Sequence, residues 1–208
     1  MKIYKKIFLT ALVLAVFGCI NLFAQSTGIV NLKIEPQSKL TINGTSTLHD
    51  FTIRATEIRG YLTIIRSKTD STSNNFNKNI NELNILIPVK KLDSGDGSMN
   101  KNMNKALKSI DNPNITYKLL SINPIALPDS VGKSVVLKTT GELSIAGKKN
   151  IIEMNVESTL QKDSTYRFTG EKKIKMADYG IEPPTMLFGT IKVRPVVIVK
   201  FDVEISLK

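Results

Sequence analysis

The chain has 208 residues, with 29 Lys or Arg against 18 Asp or Glu for a formal charge of +11, and it holds one histidine and one cysteine. A single cysteine excludes an internal disulfide framework, and one histidine beside one cysteine leaves no His/Cys set for a structural zinc site. The lysines are dispersed and have no interleaved aromatic platform, which argues against nucleic acid as a partner and describes a solvated basic surface.

The first element lies outside the folded domain. MKIYKK sets Lys2, Lys5 and Lys6 ahead of an apolar run from Ile7 to Phe23, and Ala24-Gln25-Ser26 follows. A basic start, an apolar stretch and a small residue at the cut describe an export signal over residues 1–24, and so a periplasmic or secreted protein. A membrane span is disfavoured, because the run is only about long enough for a hydrocarbon core of about 30 Å and no basic flank follows it. Cys19, preceded by Val16-Phe17-Gly18, offers an alternative. It has a partial likeness to a lipoprotein box, which would make the mature chain an anchored one beginning at Cys19. Removal of residues 1–24 takes three lysines and lowers the charge from +11 to +8. An exported domain without disulfides must be stabilised by its core.

Residues 25–208 are dominated by period-two patterning, the signal of half-buried strands. Val30, Leu32 and Ile34 alternate with polar residues, then Leu40 and Ile42, Phe51 and Ile53, and Ile58, Leu62 and Ile64. The polar stretch from Arg66 to Asn79 reads as a loop. Leu83, Ile85, Ile87 and Val89 then share a face, with Leu86 apolar on the other. A helix is expected over Met99–Ser109, where Met99, Met103, Ala106 and Leu107 fall at helical spacing. Ser94 or Asp96 would cap it and Asp111-Asn112-Pro113 would stop it. Its methionines suit the surface or end of a β-structure and an adaptable entrance for a ligand.

Strands resume at Ile115-Tyr117-Leu119 and at Val135–Ile145. Gly147 permits a hairpin turn into Ile152-Met154-Val156, and Lys162-Asp163 permits another into Tyr166-Phe168-Gly170, which runs on to Ile174 and Met176. The clearest alternation is the last, Val193 to Leu207. About eight or nine such strands in one domain describe an all-β fold, either a sandwich or a closed barrel; periodicity leaves both open.

His49 and Asp50 invite a catalytic reading, but a triad needs a nucleophile set against the histidine, and no nucleophile-elbow motif is present. The pair reads as a strand marker or a hydrogen-bonding group at a rim.

GTSTLHDFTIRA (Gly44–Ala55) and MADYGIEPPTMLFGTIKVRPVVIVKFDVEI (Met176–Ile205) resemble the YceI-like family. The order between them is also similar: Leu86-Ile87-Pro88-Val89, the short helix, then Asn112-Pro113 leading into Ile115-Thr116-Tyr117. The resemblance implies an extended antiparallel lipocalin-like β-barrel with one short helix. It also implies a non-enzymatic, cofactor-free domain whose interior binds a polyisoprenoid or other long-chain amphiphilic lipid, with transient contact to a membrane surface.

On that basis Ile85, Ile87, Leu137, Leu143, Phe168, Val199 and Phe201, all on apolar strand phases, are expected to line the channel. Tyr179, in the Asp178–Pro184 loop, is expected at the mouth, where a ring with a terminal hydroxyl suits a boundary between lipid and water. The rival expectation is a filled barrel or sandwich serving as a structural, envelope-stress or protein-interaction module.

Overall fold

A computed structural model describes residues 28–66, 80–123, 128, 130–163, 165–186 and 190–206. The segment expected to be an export signal, Cys19 and the polar stretch after Arg66 lie outside the described residues.

The alternating segments become β1 (Gly28–Ile34), β2 (Lys39–Thr45), β3 (Asp50–Ala55), β4 (Arg59–Arg66), β5 (Ile80–Pro88) and β6 (Leu92–Asp93). After helix α1 (Gly97–Ala106) come β7 (Asn114–Asn123), β8 (Ser134–Ile145), β9 (Lys148–Leu160) and β10 (Thr165–Lys175). Two short strands, β11 (Thr185–Met186) and β12 (Ile191–Lys192), precede β13 (Val196–Ser206).

Pairing is antiparallel in the order β1-β4-β5-β7-β8-β9-β10-β13, and β13 returns to β1 through Lys33↔Ser206 and Ile34↔Ile205. The sheet therefore closes on itself as an eight-stranded barrel, which removes the edges an open sheet would expose. Closure selects the barrel over the sandwich.

One edge of β13 is shared. Its last residues pair with β1, while Ile198–Asp202 pair with Asn43–Lys39 of β2. The break between β1 and β2 falls at Pro36, which has no N–H to donate to a ladder. Around it, Glu35 N donates to Glu204 O at 2.8 Å and Glu204 N donates to the Ser38 hydroxyl at 3.0 Å. β2, β3 and β6 carry the sheet on from β13, and α1 packs against them: Met103 joins Ile53, Ile87 and Leu92 in one buried cluster.

The helix starts two residues earlier than the apolar spacing predicts. Asp96 is the cap, its carboxylate accepting from Met99 N at 2.7 Å, whereas the Ser94 hydroxyl bonds Asn100 instead. The helix also ends before Ser109, because Lys108 takes a left-handed φ of 52° that terminates the last turn. The β8–β9 hairpin turns at Ala146 and Gly147, both at positive φ (49° and 82°), the conformation a two-residue hairpin requires. β13 starts at Val196 and not at Val193. Pro195 interrupts the ladder, and Val193 makes only an isolated bridge to Ser46.

Candidate functional site

Strand alternation sends one face of each barrel strand inward, and here the inward faces enclose a cavity of about 600 Å³. That is within the range of about 300–1,000 Å³ typical of small-molecule sites. Its wall is almost wholly aliphatic and aromatic carbon.

Ile85 and Ile87 of β5, Leu137 and Leu143 of β8, Phe168 of β10, and Val199 and Phe201 of β13 all line it. Met99, Met103, Ala106 and Leu107 of α1 close one end with their apolar stripe. A bulge in β7 between Leu119 and Ser121 reverses the alternation, so Ile122 lines the cavity where simple periodicity would place Ser121.

Tyr179 is the exception. It is 2% exposed and packs behind cavity-lining Ile145, Ile174, Ile181 and Val197 without lining the cavity itself. A 3-10 turn over Met176–Tyr179, ended by Gly180 at φ 62°, folds the ring inward against the barrel. Burial pushes its phenol pKa up, the opposite of a ring at a wet boundary.

The cavity meets solvent beside the β2–β3 turn, where exposed Leu48 and His49 border it. Ser46 organises that turn: its hydroxyl donates to His49 O at 2.8 Å and accepts from the backbone N–H groups of Leu48 and His49, each at 3.1 Å. His49 therefore precedes β3 at a rim. Its Nδ1 lies 2.8 Å from the Asp50 carbonyl, so the contact made with Asp50 is to main chain and not to the carboxylate. No His–carboxylate dyad forms. Among the described residues, no group of three or more His, Cys, Asp or Glu is placed to hold a metal ion. His49→Ala should therefore shift stability by no more than about 0.5 kcal/mol and leave bound-lipid stoichiometry unchanged. Thermal unfolding and the mass of co-purified lipid check both.

Three rings share a second arrangement. Phe51 lies over Gly44, Tyr117 over Gly141 and Phe201 over Gly170. A Cβ built on each glycine would come within 2.3, 2.3 and 2.6 Å of the respective ring. Gly44↔Phe51 and Gly170↔Phe201 are directly opposed partners across their strands. With no side chain beneath them, these rings can lie down along the wall and leave the lumen open.

Tyr117, Thr139 and Lys172 place polar groups in the apolar wall. Tyr117 is 8% exposed, lines the cavity, and its hydroxyl has no hydrogen-bond partner. Burial raises its pKa, and the Thr139 hydroxyl acts in the opposite sense to a lesser degree. Thr139 itself donates to Met154 O at 3.1 Å. Lys172, on the inward phase of β10 between Gly170 and Ile174, is half-buried and also lines the cavity. The sequence reading missed it because a lysine interrupts the apolar alternation; its even-numbered phase with Phe168 and Ile174 was the available signal.

A sequence profile of the YceI-like domain matches residues 34–205. The chain belongs to the YceI-like family. Its YceI-like barrel is similar to the solved polyisoprenoid-binding domain from Saccharophagus degradans, implicated in plant cell wall breakdown. That likeness has a TM-score of 0.64 at 15% identity, over 87% of this chain and 100% of that one. BcnA of Burkholderia cenocepacia is similar at a TM-score of 0.60 and 18% identity, over 81% of this chain and 96% of that one. A YceI protein of Campylobacter jejuni reaches 0.53 at 16% identity, over 73% and 82%. At these identities the likeness is one of fold. No curated protein matches the chain.

Proposed function

We propose that this YceI-like barrel binds a polyisoprenoid or similar long-chain amphiphilic lipid, without catalysing a reaction on it. The observation that carries this reading is the apolar cavity of about 600 Å³ inside the closed barrel. A filled structural module would have no use for such a space. The polyisoprenoid-binding domain of Saccharophagus degradans, on the same fold, supports the choice of ligand.

Binding is reversible sequestration. Apolar surface of the lipid leaves water as it enters, stabilising the complex by roughly 25 cal/mol for each Å² removed. The mouth at the β2–β3 turn suits transfer: Leu48 is 65% exposed there and can touch a membrane surface while the chain passes. The export signal expected over residues 1–24 supports a site of action in the cell envelope, where the protein would carry or hold its lipid.

Native and denaturing mass measurement of the protein purified from its own envelope tests the reading in one experiment. Under native conditions a stoichiometric long-chain lipid is expected; a persistently apo protein would favour a filled structural or protein-interaction module. Under denaturing conditions the chain should begin at Gln25. An acylated species beginning at Cys19 would overturn the soluble form in favour of an anchored one.

A further inference from the structure

We propose that Lys172 and Tyr117 form an oxyanion site inside the barrel, so that the preferred ligand is an amphiphile bearing a carboxylate or phosphate. This rests on the lipid-binding reading and narrows it to a ligand class.

Among the described residues, Lys172 is the sole lysine or arginine that lines the cavity and Asp96 the sole carboxylate. Asp96 is occupied as the cap of α1, accepting from Met99 N at 2.7 Å. The charge of Lys172 thus has no acidic partner in the cavity wall. Its outward neighbour Glu171 pairs on the opposite face with Lys200.

The position of the ammonium follows from a seam in the sheet. Pairing between β9 and β10 runs from Tyr166↔Leu160 to Gly170↔Val156 and stops. β9 continues along β8 to Lys148, and β10 continues along β13 to Lys175, so the two strands part over these residues. Lys172 Nζ crosses the seam and donates to Glu153 O at 2.6 Å, while Asn150 Nδ2 bridges it further along by donating to Asp178 O at 2.9 Å. An ammonium has three donors. One is spent on Glu153, and the others are available to a ligand.

Tyr117 supplies the second donor at the same height. Its ring lies over Gly141, and its hydroxyl has no partner although the residue is more than nine-tenths buried. Glu153 stands opposite Thr140 on β8, the residue next to Gly141. The register therefore sets the ammonium on the order of two strand spacings, roughly 10 Å, from the hydroxyl. A carboxylate or phosphate accepting bonds of about 2.7–2.9 Å from each donor bridges them once the flexible lysine stem swings Nζ off Glu153 O toward the phenol. A buried polar group without a partner is costly, and an oxyanion satisfies the phenol while neutralising the lysine. A neutral alcohol can do only the first.

The test uses the exported protein stripped of co-purified lipid, with three ligands of one chain length: geranylgeranyl phosphate, geranylgeranoic acid and geranylgeraniol. Their affinities are read by displacement of the neutral dye N-phenyl-1-naphthylamine. The wild type should bind both anions about 10- to 100-fold more tightly than the alcohol, the range of a charge-assisted hydrogen bond. Lys172→Met should bring both anions down to the level of the alcohol and leave the alcohol unchanged, while Lys172→Arg should keep most of the preference. Tyr117→Phe, which retains the ring over Gly141, should weaken the anions by a smaller factor. It decides the matter if Lys172→Met fails to fold.

Phosphate binding without carboxylate binding, or the reverse, still supports the site and identifies which source fills it. Equal affinity of the wild type for all three ligands, or an anion preference unaltered by these changes, overturns the proposal and leaves lipid binding intact. Failure of the wild type to bind any of the three would refute the lipid-binding reading itself, and this site with it.

Discussion

Phe201→Glu is expected to leave the barrel folded while cutting recovery of bound lipid by about tenfold or more. Phe201 lies midway along β13, paired on one side with Gly170 and on the other with Leu40, and its ring lines the cavity. A carboxylate there faces a lumen with almost no polar wall. Burying it beneath a lipid chain without a partner costs several kcal/mol, against a binding free energy in which about 1.4 kcal/mol is a factor of ten.

The empty barrel can tolerate the same group. The cavity opens to solvent at the β2–β3 turn, so water can reach the charge. Phe201→Leu is the control: it keeps an apolar group but leaves the surface of Gly170 uncovered, and should retain part of the lipid. Circular dichroism reports the β-structure and native mass reports the ligand. Normal loading of a folded Phe201→Glu protein would place residue 201 outside the ligand's path. Unfolding of that variant, with Phe201→Leu intact, would indicate a solid core at this level of the barrel.

What the sequence made legible follows from which features are local. The strands, the Gly147 hairpin and the helix each announce themselves within a few residues, through alternation, turn chemistry and a capping carboxylate. The inward phase of Ile85, Ile87, Leu137, Leu143, Phe168, Val199 and Phe201 was legible from alternation, whereas a lumen for them to line came only from the family resemblance. The features that escaped depend on partners remote in the chain. Pro36 signals a break, but only the pairing of β13 with both β1 and β2 shows that the break lets the barrel close. Tyr179 looks like a mouth residue in a polar, glycine-containing loop. It is buried because the 3-10 turn folds it against Ile174 and Val197, residues that its own segment does not reveal. Lys172 reads as a flaw in an apolar strand until the seam beside it is seen. The glycines of the barrel strands have no meaning at all without the rings that cover them.

Gly170→Ala tests that last point. The added methyl group would lie 2.6 Å from Phe201 Cζ and 3.0 Å from the Asn155 carbonyl oxygen. The ring can move, but only by lifting off the wall into the lumen. The carbonyl belongs to main chain at the end of the β9–β10 pairing and can yield only by opening the seam further. Overpacking of this kind costs about 1–3 kcal/mol, which for a domain of this size lowers the melting temperature by roughly 2–12 °C. Lipid affinity should fall as well, since the displaced ring occupies ligand space. Adding Phe201→Leu to Gly170→Ala removes the ring that clashes. The double variant should therefore be more stable than the two single losses combined would allow, with a coupling of about 1 kcal/mol or more. Strictly additive losses would mean that the cost of Gly170→Ala lies in the Asn155 carbonyl alone. The ring would then be free of its glycine, and the open lumen would have to be explained by something other than aromatic side chains laid flat against the wall.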